Sequence, residues 1–254
     1  MTDQLTPEGA VSPLYLARSF ADVSQSLSRL DEEKAVFQAI VGHARALVPG
    51  VEAAGITVKR DERFQTVAPS ADYVAEVDRI QYELRSGPCV DAIEDGEIYR
   101  SGDVAGDDRW PEFGRRAAEK AGVHSMLGLR LFFEDGDDTV ASLNLYSTQR
   151  HAFGEDSAMI GSIFATHAAI ALSRARSQEQ SDNLRRAQES NREIGMAMGV
   201  LMSRHALTQS QAFDLLRIAS QHSHRKLRDI AAEVVETGML ELPPGGRASA
   251  SSRN

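Results

Sequence analysis

The C-terminal part of the chain contains its most strongly patterned stretch. Residues 192–202 read REIGMAMGVLM, residues 212–217 read AFDLLR, and residues 225–231 read RKLRDIA. Apolar residues recur there at intervals of three and four, which is the spacing of amphipathic helices. The stretch therefore predicts three helices in succession, the last of which begins with basic residues.

This pattern resembles the ANTAR domain, a three-helix RNA-binding module of bacterial transcription antiterminators. The matching positions run from residue 194 to residue 231: Ile194, Ala197, Gly199, Leu201, Met202, Ala212, Phe213, Leu216, Arg217, Ala219, Lys226 and Ala231. The resemblance implies a dimer that binds paired stem-loops of a leader transcript, so that a terminator cannot form and transcription continues. The family usually has a glycine in the turn where this chain has Ala206. That turn is therefore either not left-handed or slightly strained.

Local signals place the ends of the second and third helices. Thr208 and Gln211 fit a capping box at the start of the second helix. Ser223 or His224 is expected to cap the third helix, and Gly238 follows its end.

The basic side chains of the stretch are the candidate RNA contacts, because the planar guanidinium fork of arginine suits phosphate. They are Arg204, Arg217, His222, His224, Arg225, Lys226 and Arg228. Each alone is equally well explained as a solvated surface charge, and Arg217 also by an ion pair with Asp214 or Glu193. We expect the aromatic residue, Phe213, to pack against a neighbouring helix.

The distribution of charge suits RNA contact at one end of the chain. The net charge of the 254 residues is −9. Residues 1–184 carry 18 basic and 30 acidic side chains, whereas residues 185–237 carry 8 basic and 6 acidic ones. A mildly basic module attached to an acidic body suits RNA contact confined to one end, and a net charge of +2 is also explained as an ordinary fluctuation of composition.

Composition predicts a soluble cytoplasmic protein without a membrane partner. Hydrophobic residues make up 42% of the chain, enough for a core. We find no apolar run near the ~20 residues that span a bilayer, and residues 1–8 do not look like a signal peptide. The one cysteine, Cys89, excludes an internal disulfide.

A second family resemblance lies upstream. Residues 86–92 read SGPCVDA, residues 107–113 read DDRWPEF, residues 141–147 read ASLNLYS and residues 164–172 read FATHAAIAL. Together they resemble the GAF domains found ahead of ANTAR modules in actinobacterial regulators, over about residues 31–175. The resemblance implies a sensor that holds a small-molecule ligand or a partner; the residues present do not identify which ligand.

These patterns predict an α+β fold: a GAF-type antiparallel sheet flanked by helices, joined by a long coiled-coil helix to an all-α three-helix ANTAR module. The predicted segments are a disordered N-terminus at 1–12, a GAF-like domain at 13–175, a connecting helix at 173–193, an ANTAR domain at 190–238 and a disordered tail at 239–254.

Local signals predict several elements of the GAF-like domain. Asp31 is expected to cap the second helix, and a helix at Asp72–Leu84 is expected to run into a loop at residues 85–89. Two strands, at 124–133 and 139–147, are expected to be joined by a hairpin loop at 134–138. The leucines at 127, 129 and 131 alternate on one face of the first strand, as those at 143 and 145 do on the second.

The connecting helix predicts a homodimer. Six residues are spaced 3, 4, 3, 4, 3 as in a heptad seam: Leu184, Ala187, Asn191, Ile194, Met198 and Leu201. An asparagine at an a position fixes register and favours two strands. From Ile194 to Leu201, packing on the last two helices explains the pattern equally well.

No catalytic, metal or cofactor site is predicted. Cys89 is best explained as a small buried apolar residue, the histidines lack zinc-site spacing, and no glycine-rich nucleotide loop is present. We therefore expect a regulator and not an enzyme. The alternative is a ligand-responsive dimeric scaffold that acts through protein partners.

Overall fold

The computed structural model describes residues 12–96, 98–131 and 140–241. The chain divides into two compact units, Met1–Glu179 and Gln180–Asn254.

The first unit combines a sheet with helices on both sides. Its described strands are β1 (Ala53–Arg60), β2 (Arg63–Val67), β3 (Ile98–Ser101), β4 (Ser125–Leu131) and β5 (Val140–Ser147). Its described helices are α1 (Pro13–Leu27), α2 (Glu33–Leu47), α3 (Asp72–Leu84), α4 (Pro88–Asp95), α5 (Pro111–Ala121), the first part of α6 (Glu155–His205), and a 3-10 turn at Val104–Gly106.

The five strands form one sheet in the order β2-β1-β5-β4-β3. Each neighbouring pair is antiparallel. In β4 and β5 the predicted alternation is confirmed, since Leu127 pairs with Leu145 and Leu129 pairs with Leu143. Side chains alternate across a strand, so these leucines share one face of the sheet.

That face carries the larger hydrophobic core. Ile56 of β1 and Leu143 of β5 are fully buried there, together with Ile40 of α2 and Phe164 of α6. Helices α1, α2 and α6 therefore cover one side of the sheet.

Helices α3 and α5 cover the opposite side. The core on that side includes Trp110, Phe113 and Tyr146. Trp110 is anchored because its indole N–H donates to Asp91 Oδ2 at 2.6 Å, which satisfies the polar end of a buried ring.

The N-terminal part of α6 is apolar enough to cross a membrane by length and composition. An 18-residue stretch of the helix has a mean hydropathy of 1.2, and half of that stretch is buried. Phe164, Ala168 and Leu172 of α6 belong to the sheet core. The apolar part of α6 is therefore a core helix of the first unit.

The second unit is all-helical. It contains the end of α6, then α7 (Gln209–Ser223) and α8 (Leu227–Thr237). Leu201, Leu216 and Ile230 contribute one buried side chain from each helix to a common core. The predicted α+β fold followed by a three-helix module is confirmed.

Two local predictions differ from the structure. Helix α4 begins at Pro88, whereas the sequence predicted a loop at residues 85–89 and no helix after it. The residue before α2 is Glu32, without a side-chain cap, and the adjacent Asp31 pairs instead with Arg174 at 3.0 Å. The expected hairpin loop at 134–138 and the expected disordered N-terminus lie outside the described residues, apart from residue 12. At the C-terminal end, Leu240 packs against the core of the second unit.

Candidate RNA interface

The turn between α6 and α7 reverses the direction of the chain in the second unit. The predicted capping box is present: Gln211 N donates to Thr208 Oγ1 at 3.3 Å, and Thr208 N donates to Gln211 Oε1 at 2.9 Å. Ala206 has φ of +54°. The turn is therefore left-handed, and an alanine adopts the conformation that favours glycine.

Arg217 lies on the exposed side of α7 and makes an ion pair. Its Nη2 donates to Asp214 Oδ1 at 3.0 Å, one turn earlier. Both side chains are about half exposed. An exposed pair of this spacing contributes little stability, so it does not prevent Arg217 from contacting a phosphate.

The junction between α7 and α8 differs from the predicted caps. His224 has φ of +55° and ends α7. Ser223 belongs to α7, and its Oγ donates to Ala219 O at 2.7 Å. Lys226 is the N-cap of α8, without a side-chain capping bond. The expectation that Ser223 or His224 caps α8 was wrong because α7 continues through Ser223.

The remaining basic candidates are gathered around this junction. Arg225 Nη1 donates to Glu233 Oε2 at 2.6 Å, and Arg228 pairs with the neighbouring Asp229 at 3.3 Å. Lys226 is exposed, and no ion pair is found for it among the described residues. His222 lines a cavity of about 240 Å³ beside Arg225. The structure thus brings His222, Arg225, Lys226 and Arg228 into one region.

Arg204 is exposed and also makes a contact within its own module. Its Nη1 donates to the carbonyl oxygen of Gly238 at 2.8 Å, which satisfies a carbonyl at the end of α8. This contact makes Arg204 part of the module's packing.

Phe213 was expected to pack against a neighbouring helix as part of the core, and the expectation that it belongs to the core was wrong. Its side chain is 40% exposed, whereas its neighbour Ala212 is buried in the module core. Residues four apart lie on the same side of a helix, so Phe213 and Arg217 share one surface of α7. An exposed aromatic ring beside an arginine offers a base a stacking surface.

Comparison with known families identifies both units. One family model, described as the ANTAR domain, matches residues 182–235. A second, described as the GAF domain, matches residues 31–173, more than half of the chain.

This chain belongs to the GAF domain family. It also carries an ANTAR domain, as predicted. These domain types are regulatory: GAF domains sense signals, and ANTAR domains are modules of RNA-binding antitermination regulators. No curated protein matches the chain.

Solved structures share the fold of the first unit. The GAF domain of a phosphoenolpyruvate-protein phosphotransferase from Coxiella burnetii is 14% identical with a TM-score of 0.52, covering 66% of this chain and 98% of that one. The corresponding GAF domain from Acinetobacter is 12% identical with a TM-score of 0.50, covering 66% of this chain and 97% of that one. At such identities the likeness shows the fold alone.

The GAF domain contains a buried polar cluster that sequence reasoning missed. Thr57 lies at its centre: its hydroxyl lies 2.8 Å from the Tyr82 hydroxyl and 3.0 Å from Cys89 Sγ, and it accepts from Asn144 Nδ2 at 2.8 Å. Thr57, Cys89 and Asn144 are fully buried. The cluster could not be found from spacing because its members come from β1, α3, α4 and β5.

Asp78 extends this cluster. Its carboxylate accepts from the Tyr146 hydroxyl, from Thr66 Oγ1 at 2.9 Å and from Gln81 Nε2 at 3.3 Å. Burial raises the pKa of Asp78 to about 6, although these hydrogen bonds oppose the shift. Burial also raises the pKa of the Cys89 thiol, which disfavours the reactive thiolate.

A cavity lies elsewhere in the GAF domain, between α2 and the β1–β2 hairpin. Its volume is about 420 Å³, within the range of small-molecule sites. Phe37, Val58 and Val67 provide apolar lining, and Lys34 and Gln65 provide polar groups. Among the described residues, no group of three or more His, Cys, Asp or Glu side chains could hold a metal ion.

The predicted dimer seam in α6 divides into two parts. Leu184 is 61% exposed, and Ala187 and Asn191 are also exposed. Leu201 is buried in the core of the ANTAR domain, and Ile194 and Met198 pack against that core. Only the first three residues are therefore free to form an interchain seam.

Proposed function

We propose that this protein is a dimeric, signal-responsive antiterminator whose ANTAR domain binds stem-loops of a leader transcript under control of its GAF domain. The observation that carries the proposal is the ANTAR match over residues 182–235. It coincides with the unit in which the basic residues converge at the α7–α8 junction.

The start of α8 is suited to a phosphate. The first N–H groups of a helix lack intrahelical partners and carry partial positive charge. Here the N-cap side chain of Lys226 does not satisfy them. The side chains of Arg225, Lys226 and Arg228 add positive charge at this helix end. An RNA backbone phosphate would be held both by the N–H groups at the start of α8 and by these basic side chains.

The exposed surface of α7 supplies a second kind of contact. Sequence-specific RNA recognition often stacks splayed loop bases on aromatic or arginine planes. Phe213 and Arg217 provide one of each, while the α7–α8 junction holds the backbone. The two surfaces together would recognise a hairpin loop and the stem beside it.

The connecting part of α6 would pair two copies. A polar helix of this length is marginal alone, so a partner is expected. Leu184, Ala187 and Asn191 provide exposed seam positions. Two ANTAR domains in one dimer would each bind one stem-loop of a pair.

The GAF domain would sense the signal. The cavity between α2 and the β1–β2 hairpin can accept a small amphipathic molecule, and a ligand shifts the output only if it binds two states with different affinity. Filling the cavity with Gln38→Trp should therefore change RNA affinity or its response to signal. Unchanged RNA affinity and activation under every condition would contradict this coupling.

Selection from a random-sequence RNA pool tests the RNA proposal directly. The full-length protein should enrich RNAs with two closely spaced hairpins, and deletion of either hairpin should weaken binding. The Arg217→Ala, Arg225→Ala, Lys226→Ala triple variant, checked for folding, should enrich none. If the wild-type protein enriches no RNA, or the variant enriches the same RNAs, the protein-scaffold alternative replaces this proposal.

A further inference from the structure

The cavity between α2 and the β1–β2 hairpin has an apolar floor. The floor is formed by Phe37, Val58 and Val67, which belong to the larger core or pack against it. Side chains alternate across a strand, and the neighbour of Val58, Thr57, bonds to Tyr82 on the other side of the sheet. The sheet therefore separates this cavity from the buried polar cluster around Thr57.

The rim of the same cavity is charged, with Glu33, Lys34 and Arg60 among its lining residues. Glu33 is held between two arginines: Arg60 Nη2 donates to its Oε2 at 3.1 Å, and Arg176 Nε donates to its Oε1 at 2.5 Å. Lys34 is exposed, and within the described part of the chain we find no acidic partner for it. The rim therefore has an uncompensated positive charge at Lys34.

This positive rim contrasts with the charge of the surrounding domain. Residues 1–184 carry 18 basic and 30 acidic side chains. Asp61 and Arg63 line an adjoining cavity that shares part of its lining with this one, and their opposite charges offset each other. The side-chain amides of Gln38 and Gln65 line the first cavity as neutral hydrogen-bond donors. An anion at this rim therefore meets a local attraction within an acidic domain.

We propose that this cavity binds a small carboxylate with an apolar body: the carboxylate lies against Lys34 and Arg60, and the body lies on the apolar floor. The proposal rests on the proposed function, since it names the class of ligand that the GAF domain would sense. Glu33 occupies only Nη2 of Arg60, so Nη1 is left to donate to the ligand. A carboxylate carries one charge, which matches the charge of Lys34, whereas a phosphate monoester carries more than one at neutral pH.

Isothermal titration calorimetry of the full-length protein with matched probes tests the ligand class. Phenylbutyrate, phenylbutanol and phenylbutylamine have the same apolar body and differ in the head group. Phenylbutyrate should bind about tenfold more tightly than the alcohol, because hydrogen bonds to a charged group are the stronger ones. The amine should bind most weakly, because its charge has the same sign as the rim. Phenylpropyl phosphate should bind no more tightly than phenylbutyrate.

Variants of the lining residues locate the site. Lys34→Met should weaken phenylbutyrate binding about fivefold, the upper range for an exposed ion pair, and leave phenylbutanol binding unchanged. The matched control Lys120→Met removes an exposed lysine of α5 and should change neither affinity. Gln38→Trp fills the cavity and should abolish binding of both probes, whereas Ile98→Trp, on strand β3 at the far edge of the sheet, should not. Circular dichroism confirms that each variant is folded.

The outcomes separate the ligand class from the proposed function, because the calorimetry contains no RNA. If wild type binds none of the probes, or binds the alcohol, the amine or the phosphate at least as tightly as phenylbutyrate, the carboxylate proposal is overturned and antitermination stands. If Lys34→Met or Gln38→Trp binds phenylbutyrate like wild type, the site lies elsewhere and the proposal is also overturned. If phenylbutyrate binds as expected but the protein selects no RNA, the carboxylate site stands and the proposed function fails.

Discussion

The guanidinium of Arg204 and the carbonyl oxygen of Gly238 are joined by a 2.8 Å hydrogen bond. Gly238 has φ of +71° and ends α8, and a Cβ there would lie 2.7 Å from Arg204 Cζ. A cation at a helix C-terminus also interacts favourably with the helix dipole. The contact therefore fastens the last helix of the ANTAR domain to the first.

Arg204→Ala should lower the stability of the ANTAR domain by about 1 kcal/mol, the usual net contribution of one hydrogen bond. Arg204→Lys keeps the positive charge but not the planar guanidinium, and it should lower the stability of the ANTAR domain by part of that amount. The one tryptophan, Trp110, lies in the GAF domain, so urea unfolding followed by circular dichroism and by tryptophan fluorescence separates the two domains. An unchanged circular-dichroism transition for Arg204→Ala would show that the contact is not stabilising.

Ala206→Gly should stabilise the ANTAR domain by about 1 kcal/mol, because it relieves a left-handed alanine. The control Ala187→Gly replaces a helical alanine of α6 and should destabilise by ~0.5–1 kcal/mol. Urea unfolding measures both. Destabilisation by Ala206→Gly would mean that the left-handed turn is not strained.

Asp78 should make the GAF domain less stable as the pH rises. Its pKa is raised from 3.8 to about 6 in the folded protein. The contribution of Asp78 to the free energy of unfolding of the GAF domain is therefore fully present below pH 3.8 and is lost as the pH rises through 6. Between about pH 4.5 and pH 7 the loss is about 2 kcal/mol.

Urea unfolding of wild type and Asp78→Asn across this range measures the effect through Trp110 fluorescence. The difference in free energy of unfolding between the two proteins should change by that amount, because the other titrating groups are common to both. A pH-independent difference would show that Asp78 does not titrate in this window.

Phe213→Ala should weaken binding to the selected RNA about tenfold, since stacking on an aromatic side chain contributes ~1–3 kcal/mol per base. Ile218→Ala is the matched control, because Ile218 is 41% exposed on another side of α7, and it should change affinity less than twofold. Fluorescence anisotropy measures both. Equal changes in RNA affinity for the two variants would show that Phe213 is not part of the RNA-binding surface.

Local signals in the sequence predict several elements closely. The helix at Asp72–Leu84 and the capping box at Thr208 depend on residues adjacent in the chain, and both are confirmed. Helix α4 was missed because it has eight residues and follows Gly87 and Ser86, which read as a loop. The cap of α8 was misassigned because Ser223 and His224 can end one helix or begin the next.

Features that depend on tertiary packing could not be predicted from the sequence. The hydrogen bonds of Thr57 and Asp78 join segments far apart in the chain. The two sides of the first part of α6 could not be separated for another reason: Ile160, Phe164 and Leu172, which face the sheet, are interleaved with Ile163 and Ile170, which face solvent.

The most direct test of the central claim is the salt dependence of RNA affinity. Binding to the selected two-hairpin RNA is measured from low to physiological salt for wild type and for the Arg217→Ala, Arg225→Ala, Lys226→Ala variant. The matched control, Arg79→Ala, Arg115→Ala, Arg150→Ala, removes the same charge from three exposed ion pairs of the GAF domain.

Each phosphate contact contributes ~0.7–0.9 to the slope of log affinity against log salt. We expect the ANTAR variant to bind more weakly and with a slope smaller by about 2, while the GAF control retains the wild-type affinity and slope. Equal affinities and slopes for the two triple variants would contradict RNA recognition through the α7–α8 surface.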